Sequence, residues 1–416
     1  MKINSKIKKL KQSKDGRVLV SNFAYLSLLQ VTSYVFPLLT MPYLARVIGV
    51  DGFGKIAFAA SIMTWFITVA DWGFNYTATR DVAKKREDIS AVSEIFSKVF
   101  FARMLLMLFS LVCLFLLIYI IPSFREHADV IFVSFLMIPG KIMFPDWFFQ
   151  AMEKMKYITI FDFISKFLFT ILVFVFIKEK DDYIFQPLFV SLGYVLSGLV
   201  AMYYILSKWH VKIIYCPINA ILATIKSSTN VFINNIFPNL YSSLATVFLG
   251  AFHGPAANGI YDAGAKLSAI GDNLLNIVSR VFFPYLSRDI SKHGLYAKFS
   301  LLISSLISFS LFFAAPYLIR YFFTPEFEDA ILVLRIMSVL TFILTVDKVY
   351  GLNYLIVNGY DKERCRICVI CSLVGGVIAF LLVYKYSYIG KSVSLLIANS
   401  FLAISSLAYV IYIKKR

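Results

Sequence analysis

Charge is what this sequence has least of. Only 16% of its 416 residues are Asp, Glu, Lys or Arg, where a soluble domain carries roughly a quarter. With 59% hydrophobic residues, the chain cannot cover a surface in water. Histidine is equally sparse: His127, His210, His253 and His293 stand singly, with no metal-ligand spacing. Of five cysteines, Cys365, Cys368 and Cys371 make a C-x-x-C-x-x-C run, a spacing also found in iron–sulfur ligand sets. No fourth ligand lies near, and positions i, i+3 and i+6 simply line one side of an apolar helix. No metal or cofactor is expected. The first 17 residues are basic and lack the apolar core of a signal peptide, so they read as a cytosolic tail. The longest expected loop, 80–95, holds no paired-carboxylate or nucleotide-phosphate motif, which argues against an enzyme.

What the chain has instead is long apolar runs near the ~20 residues needed to cross a bilayer. Hydropathy predicts twelve helices, at 20–45, 54–79, 96–121, 128–151, 157–177, 184–207, 219–251, 257–287, 296–319, 328–358, 364–384 and 391–412. The fold class is therefore all-α integral membrane. An even number of spans places both termini on one side. The loops on that side hold 24 Lys and Arg, against eight on the other (Arg46, Lys55, Arg125, Lys178, Lys180, Arg320, Lys385 and Lys391). That bias assigns the termini to the cytoplasm. It also accounts for the net charge of +17 without nucleic acid as a partner.

Two stretches look alike: "ARVIGVDGFGKIAFAASI" (45–62) and "GAFHGPAANGIYDAGAKL" (250–267). Gly49 and Gly54 fall opposite Gly254 and Gly259, 205 residues on, and Arg80–Asp81 corresponds to Arg288–Asp289. Six spans precede helix 7 and six follow from it, which predicts a parallel repeat of two six-helix bundles around a central cavity. The expected divisions are a tail at 1–19, bundles at 20–214 and 215–413, and a basic end at 414–416.

The stretches "PLLTMPYLARVIGVDGFGKIAFA" (37–59), "DWGFNYTATRDVAKKRED" (71–88) and "PDWFFQAMEKMKYITI" (145–160) resemble Wzx-type polysaccharide-unit flippases of the multidrug/oligosaccharidyl-lipid/polysaccharide exporter superfamily. The third carries Ala151 where that family usually has Gly. The resemblance implies movement of an undecaprenyl-pyrophosphate-linked oligosaccharide from the cytoplasmic to the periplasmic leaflet of the inner membrane, where a polysaccharide polymerase machinery would take it over. It also implies a cavity lined by helices 1, 2, 7 and 8. Drug antiporters of the same superfamily, and a lipid II-type flippase, are the alternatives. The antiporters depend on carboxylates in helix 1 or 7, and neither 20–45 nor 219–251 contains Asp or Glu.

A phosphate-bearing head group needs cations and hydrogen-bonding groups inside the membrane, where ionisable residues are costly and face a cavity or a partner. Candidates for cavity or gate are Asp71, Asn75, Lys141, Asp262, Lys266, Arg280, Arg335 and Lys348. Asp71 and Asn75, four apart, are expected on one helix face. Arg80, Lys84 and Lys85 are expected at the cytoplasmic entrance, where basic residues attract anionic lipid head groups. Asp162/Lys166 and Asp262/Lys266 have the acid-first i,i+4 spacing of an ion pair. Snorkelling accounts for Lys98 and Arg103, interface anchoring for Trp65, Trp72 and Trp147, and helix packing for Asn230, Asn234 and Pro238. Membrane potential, proton or sodium antiport, or consumption of the product on the far side are the candidate driving forces, with Asp71 and Asp262 as candidates for a proton-linked site.

Overall fold

Lipid offers no partner to a backbone amide, and a helix satisfies its own. The computed structural model describes residues 14–236, 239–288 and 290–415, with part of the side chains near 14–34, 230–241 and 280–289, and that of Asp361, outside the description. The basic tail before Lys14, Pro238 and Asp289 therefore lie outside the described residues. Among those described there is no strand, and eight helical stretches are long and apolar enough to cross a membrane. The chain is an all-α integral membrane protein. Its contacts divide it into two units: residues up to Tyr43 with Phe66–Ile233, and Leu44–Trp65 with Asn234–Arg416.

The first long helix, α1 (Lys14–Asp71), bends at Gly49, whose φ of 65° is open to glycine. It stops at Trp72 and Gly73, both at positive φ, and α2 (Phe74–Lys84) begins anew. This break overturns the expectation that Asp71 and Asn75 share a helix face, because the four-residue spacing does not run through continuous helix. Gly73 is required there: a Cβ would fall 2.7 Å from Val231 Cγ1. Trp72 stacks on Phe232 at 3.8 Å and donates its indole N–H to the Ile225 carbonyl at 3.1 Å. It is a packing residue of the first unit rather than an interface anchor. The stretch 80–95, expected as a loop, is helical except for 85–88, where Asp88 caps α3 (Ile89–Ile120) by accepting from the Ala91 amide.

After α3 the chain runs through four short helices, α4 (Pro122–Glu126), α5 (Ala128–Phe135), α6 (Met137–Met143) and α7 (Asp146–Ala151). The aromatics of "PDWFF" are core: Trp147, Phe148 and Phe149 are at most 1% exposed. They pack on Phe96 of α3 and on Trp209, which again removes Trp147 from the interface. The unit closes with α8 (Met155–Phe176), α9 (Phe185–Lys208) and α10 (Ile218–Ile236). Gly140 and Gly198 let α6 and α9 touch backbone to backbone; a Cβ on Gly198 would sit 2.7 Å from the Gly140 carbonyl. Asp162 and Lys166 form the expected pair at 2.6 Å, with Ser33 as a second acceptor at 2.7 Å.

In the second unit α11 (Asn239–Arg288) bends at Gly254, followed by α12 (His293–Phe322), α13 (Ala330–Asp347), a π-helical stretch (Lys348–Ile356) and α14 (Asp361–Lys415), which breaks at Ser387. Such breaks free carbonyls that need donors. His253 meets those of Val383 and Tyr384 at 2.8 and 3.2 Å, and His293 meets that of Val349 at 3.0 Å. The repeat is visible in the backbone, since Gly254 (φ 80°, ψ 176°) copies Gly49 (φ 65°, ψ −174°). The two bends also touch reciprocally. A Cβ on Gly54 would land on the Pro255 carbonyl, and one on Gly259 would land on that of Val50. Each glycine meets the counterpart of the residue that its own counterpart meets, which is the signature of a local two-fold contact.

Candidate functional site

In the first unit, α1 ends by presenting Asp71 to Arg103 of α3, and the two form an ion pair. Arg103 is only 4% exposed at its side chain. It is thus drawn inward rather than snorkelling, because a buried guanidinium needs its counter-charge. Its Nε and Nη1 are buried without a hydrogen-bond partner among the described residues. Asp146, at the start of α7, lies within electrostatic reach of Asp71, Arg103 and Lys141, and its carboxylate accepts from the Trp147 amide at 2.9 Å. Lys141 stands over the Tyr194 ring at 5.1 Å. The arrangement is two acids and two bases, with guanidinium donors still unused.

Asn75 is not part of that ion pair; its Oδ1 is buried and without a hydrogen-bond partner among the described residues. Arg80 pairs with its neighbour Asp81 at 2.9 Å, and Lys84 and Lys85 are exposed. Lys98 pairs with Glu94 at 2.5 Å.

The second unit holds two further clusters. On α11, Asp262 and Lys266 pair at 2.5 Å, as their spacing predicts. Lys391 of α14 belongs beside them. It is 1% exposed, donates to Thr246 Oγ1 at 2.6 Å, lies 3.3 Å from the Tyr261 ring centre, and is within electrostatic reach of Asp262. The sequence count places Lys391 in a loop, and the structure corrects that. Its signal is the small-residue run Gly390, Ser392 and Ser394, which lets a neighbouring helix approach. The other cluster surrounds the π-helical stretch. Lys348 donates to the Asp272 carbonyl at 3.4 Å, and Asp347 binds Arg364 at 2.6 Å and Ser406 at 3.1 Å. Asn353 donates to Ser279 and to Tyr296, at 2.7 and 2.6 Å.

Arg335 stays apart from both, its guanidinium 5.4 Å from the Phe312 ring and its Nε buried without a hydrogen-bond partner among the described residues. Arg280 lies on α11, but its side chain is outside the described residues, as are those of Asn230 and Asn234. Arg103, Lys391, Arg364 and Asn353 are polar groups outside the candidates of the sequence reading, which takes Arg103 for a snorkelling side chain and Lys391 and Arg364 for loop cations. No group of three or more His, Cys, Asp or Glu among the described residues could hold a metal ion.

Each unit holds buried charge pairs, and Arg103 and Arg335 have guanidinium nitrogens with no hydrogen-bond partner among the described residues. Comparisons with known proteins place the chain in a family. The chain is 28% identical over 383 residues to an Escherichia coli (strain K12) protein named "Putative O-antigen transporter", covering 90% of this chain and 92% of that one. A Shigella dysenteriae protein of the same name is 24% identical, covering 90% and 96%. Among solved structures, a lipid II flippase MurJ in an inward closed conformation superposes with a TM-score of 0.68 at 14% identity, over 94% of this chain and 87% of that one. A MATE transporter reaches 0.61 at 14% identity over 99% of both chains. These two share the fold. Residues 19–289 match the family described as Polysaccharide biosynthesis protein. The chain belongs to that family, and it is a membrane transporter rather than an enzyme.

Proposed function

We propose that the protein moves an oligosaccharide linked to undecaprenyl pyrophosphate, an O-antigen unit or a related surface glycan, from the cytoplasmic to the periplasmic leaflet of a bacterial inner membrane. Transport is by alternating access, both termini are cytoplasmic, and the unit passes on to the polymerase machinery. The observation that carries this reading is end-to-end similarity to two proteins named as O-antigen transporters. The chemistry of the buried charges supports it. Pyrophosphate is recognised by cations, best by guanidinium donors in a fork geometry, and beside its paired Nη2 the buried Nε and Nη1 of Arg103 have no hydrogen-bond partner among the described residues. The polyprenyl tail stays in lipid, so only the head group needs a polar route. A proton or sodium gradient, or the membrane potential, drives the cycle, with Asp71 and Asp262 as the coupling carboxylates.

The test is a leaflet assay. Deletion of the gene in its own host should leave undecaprenyl-linked glycan facing the cytoplasm, and wild type should restore its exposure. Arg103→Gln, Lys141→Ala, Asp262→Ala and Lys348→Ala should restore less at equal protein levels. Normal exposure after deletion, with no second flippase in the host, would overturn the reading and favour drug antiport. Undiminished flipping in liposomes with the ion gradients collapsed would remove the coupling step alone.

A further inference from the structure

Val50 and Pro255 occupy matching positions 205 residues apart, each starting the helical limb that follows a glycine of positive φ. The first amides of a helix have no acceptor within it. Pro255 meets that problem by having no N–H, the reason proline suits the first helical position. Val50 has one, and it donates to Glu326 Oε2 at 3.2 Å. Glu326 lies in the turn Pro325–Phe327 between α12 and α13. A carboxylate at a helix start is favoured both as acceptor and as charge.

The segment that carries Glu326 also grips the limb further along. Phe323 and Phe327 meet the Phe53 ring edge-on at 6.0 and 5.7 Å, and Phe53 is 4% exposed. Lys266 Nζ stands 4.4 Å from that ring's centre while paired with Asp262. A chain of contacts therefore runs from Glu326 through Val50 and Phe53 to Lys266, one of the cavity or gate candidates.

We propose that Glu326 is a positioning residue: by capping the limb at Val50 it seats Phe53 beneath Lys266, and so holds the Asp262–Lys266 pair closed. This deepens the transport reading and rests on it for the role of Lys266. Lys266, 45% exposed at its side chain, shares its charge between a carboxylate and a ring face, and withdrawal of Phe53 frees the part held by the ring. The cap therefore sets when this lysine becomes available.

The experiment measures the reactivity of Lys266 directly. Purified full-length protein is acetylated with an amine-reactive ester, and modification is quantified by mass spectrometry against exposed Lys85. Buried Lys391 serves as a reporter of the intact second unit. Glu326→Ala and Phe53→Leu should each raise Lys266 modification by about five-fold, the equivalent of losing one partly exposed cation–π contact. Glu326→Gln keeps a side-chain carbonyl for the Val50 amide and should stay near wild type. Lys391 should remain unmodified throughout. Unchanged Lys266 reactivity in Glu326→Ala would overturn the proposal. So would Lys391 becoming reactive in that variant, because the carboxylate would then support the whole unit rather than one lysine. No cargo is involved, so failure of the leaflet assay and failure of this one are read separately.

Discussion

The bends at Gly49 and Gly254 share a backbone conformation and touch each other reciprocally, yet their surroundings differ. At Gly254 nothing lies within 4 Å of where a Cβ would be, and proline follows. At Gly49 the Glu326 carboxylate would sit 3.2 Å from a Cβ, and valine follows. One bend has no amide at its first helical position; the other has one and borrows an acceptor for it from a turn 276 residues away. Duplicated backbone thus coexists with unduplicated chemistry. The half that depends on a distant carboxylate is the half through which the position of a neighbouring lysine can be controlled.

The shared part of the design should be the most fragile. Gly54→Val or Gly259→Val would drive side-chain carbon into a backbone carbonyl of the opposite bend. Neither helix can yield without parting the contact, so each substitution should cost at least about 3 kcal/mol, the upper range for overpacking. Loss of monodisperse protein on detergent extraction, or a large drop in the melting midpoint, would show it. Equal stability of both variants and wild type would mean that the two bends do not meet.

The next comparison separates the bends. Gly49→Ala and Gly254→Ala both place a Cβ at positive φ with extended ψ, a region essentially reserved for glycine, at about 1–3 kcal/mol each. Only Gly49→Ala also crowds Glu326, so it should melt lower than Gly254→Ala. A reversed order would contradict the difference in surroundings described above.

How much of this was readable beforehand depends on whether the cause is local in sequence. Apolar runs gave the spans, because hydrocarbon thickness sets their length. The glycine bends were readable because few other residues take positive φ at so low a cost. The pairs Asp162/Lys166 and Asp262/Lys266 were readable because helical spacing alone brings them together. Arg103 was misjudged for the opposite reason. Its position near a span end suggests snorkelling, and the counter-charge that draws it inward lies 32 residues away, on another helix. Lys391 was mistaken for a loop cation because it follows the Ser387 break, which the sequence does not announce: serine at φ 54° is no ordinary hinge. Asp71 and Asn75 were placed on one face by a helix that stops at Trp72. Arg103 is decided by a contact distant in sequence, and the other two by helix breaks at residues whose type does not announce one.

A third prediction makes the two bends chemically alike. Glu326→Ala should cost about 1 kcal/mol, as the loss of a helix cap does. Val50→Pro removes the amide that needs the cap and follows a glycine whose extended ψ of −174° a proline accepts. In that background Glu326→Ala should cost almost nothing. A double-mutant cycle on thermal midpoints measures the coupling, and additive effects would show that Glu326 acts through something other than the Val50 amide.

The smallest effect belongs to the neighbouring carboxylate, and it tests whether Glu326 is special or merely one acid of an acidic turn. Glu328, two residues on, pairs with Arg320 at 2.5 Å, with side chains 48% and 66% exposed. The hydrogen bond from Arg320 holds the Glu328 carboxyl below its ordinary 4.5. A group lowered in the folded protein stabilises it above the ordinary value and loses that contribution as pH falls through the lowered one. Exposed pairs of this kind are screened by solvent and salt. Glu328→Gln should therefore match wild type in Lys266 reactivity at neutral pH, and should differ in melting midpoint only by a small margin that vanishes on acidification. A Glu328→Gln variant with the Lys266 reactivity expected of Glu326→Ala would assign the positioning to the turn's net charge, not to the hydrogen bond at Val50.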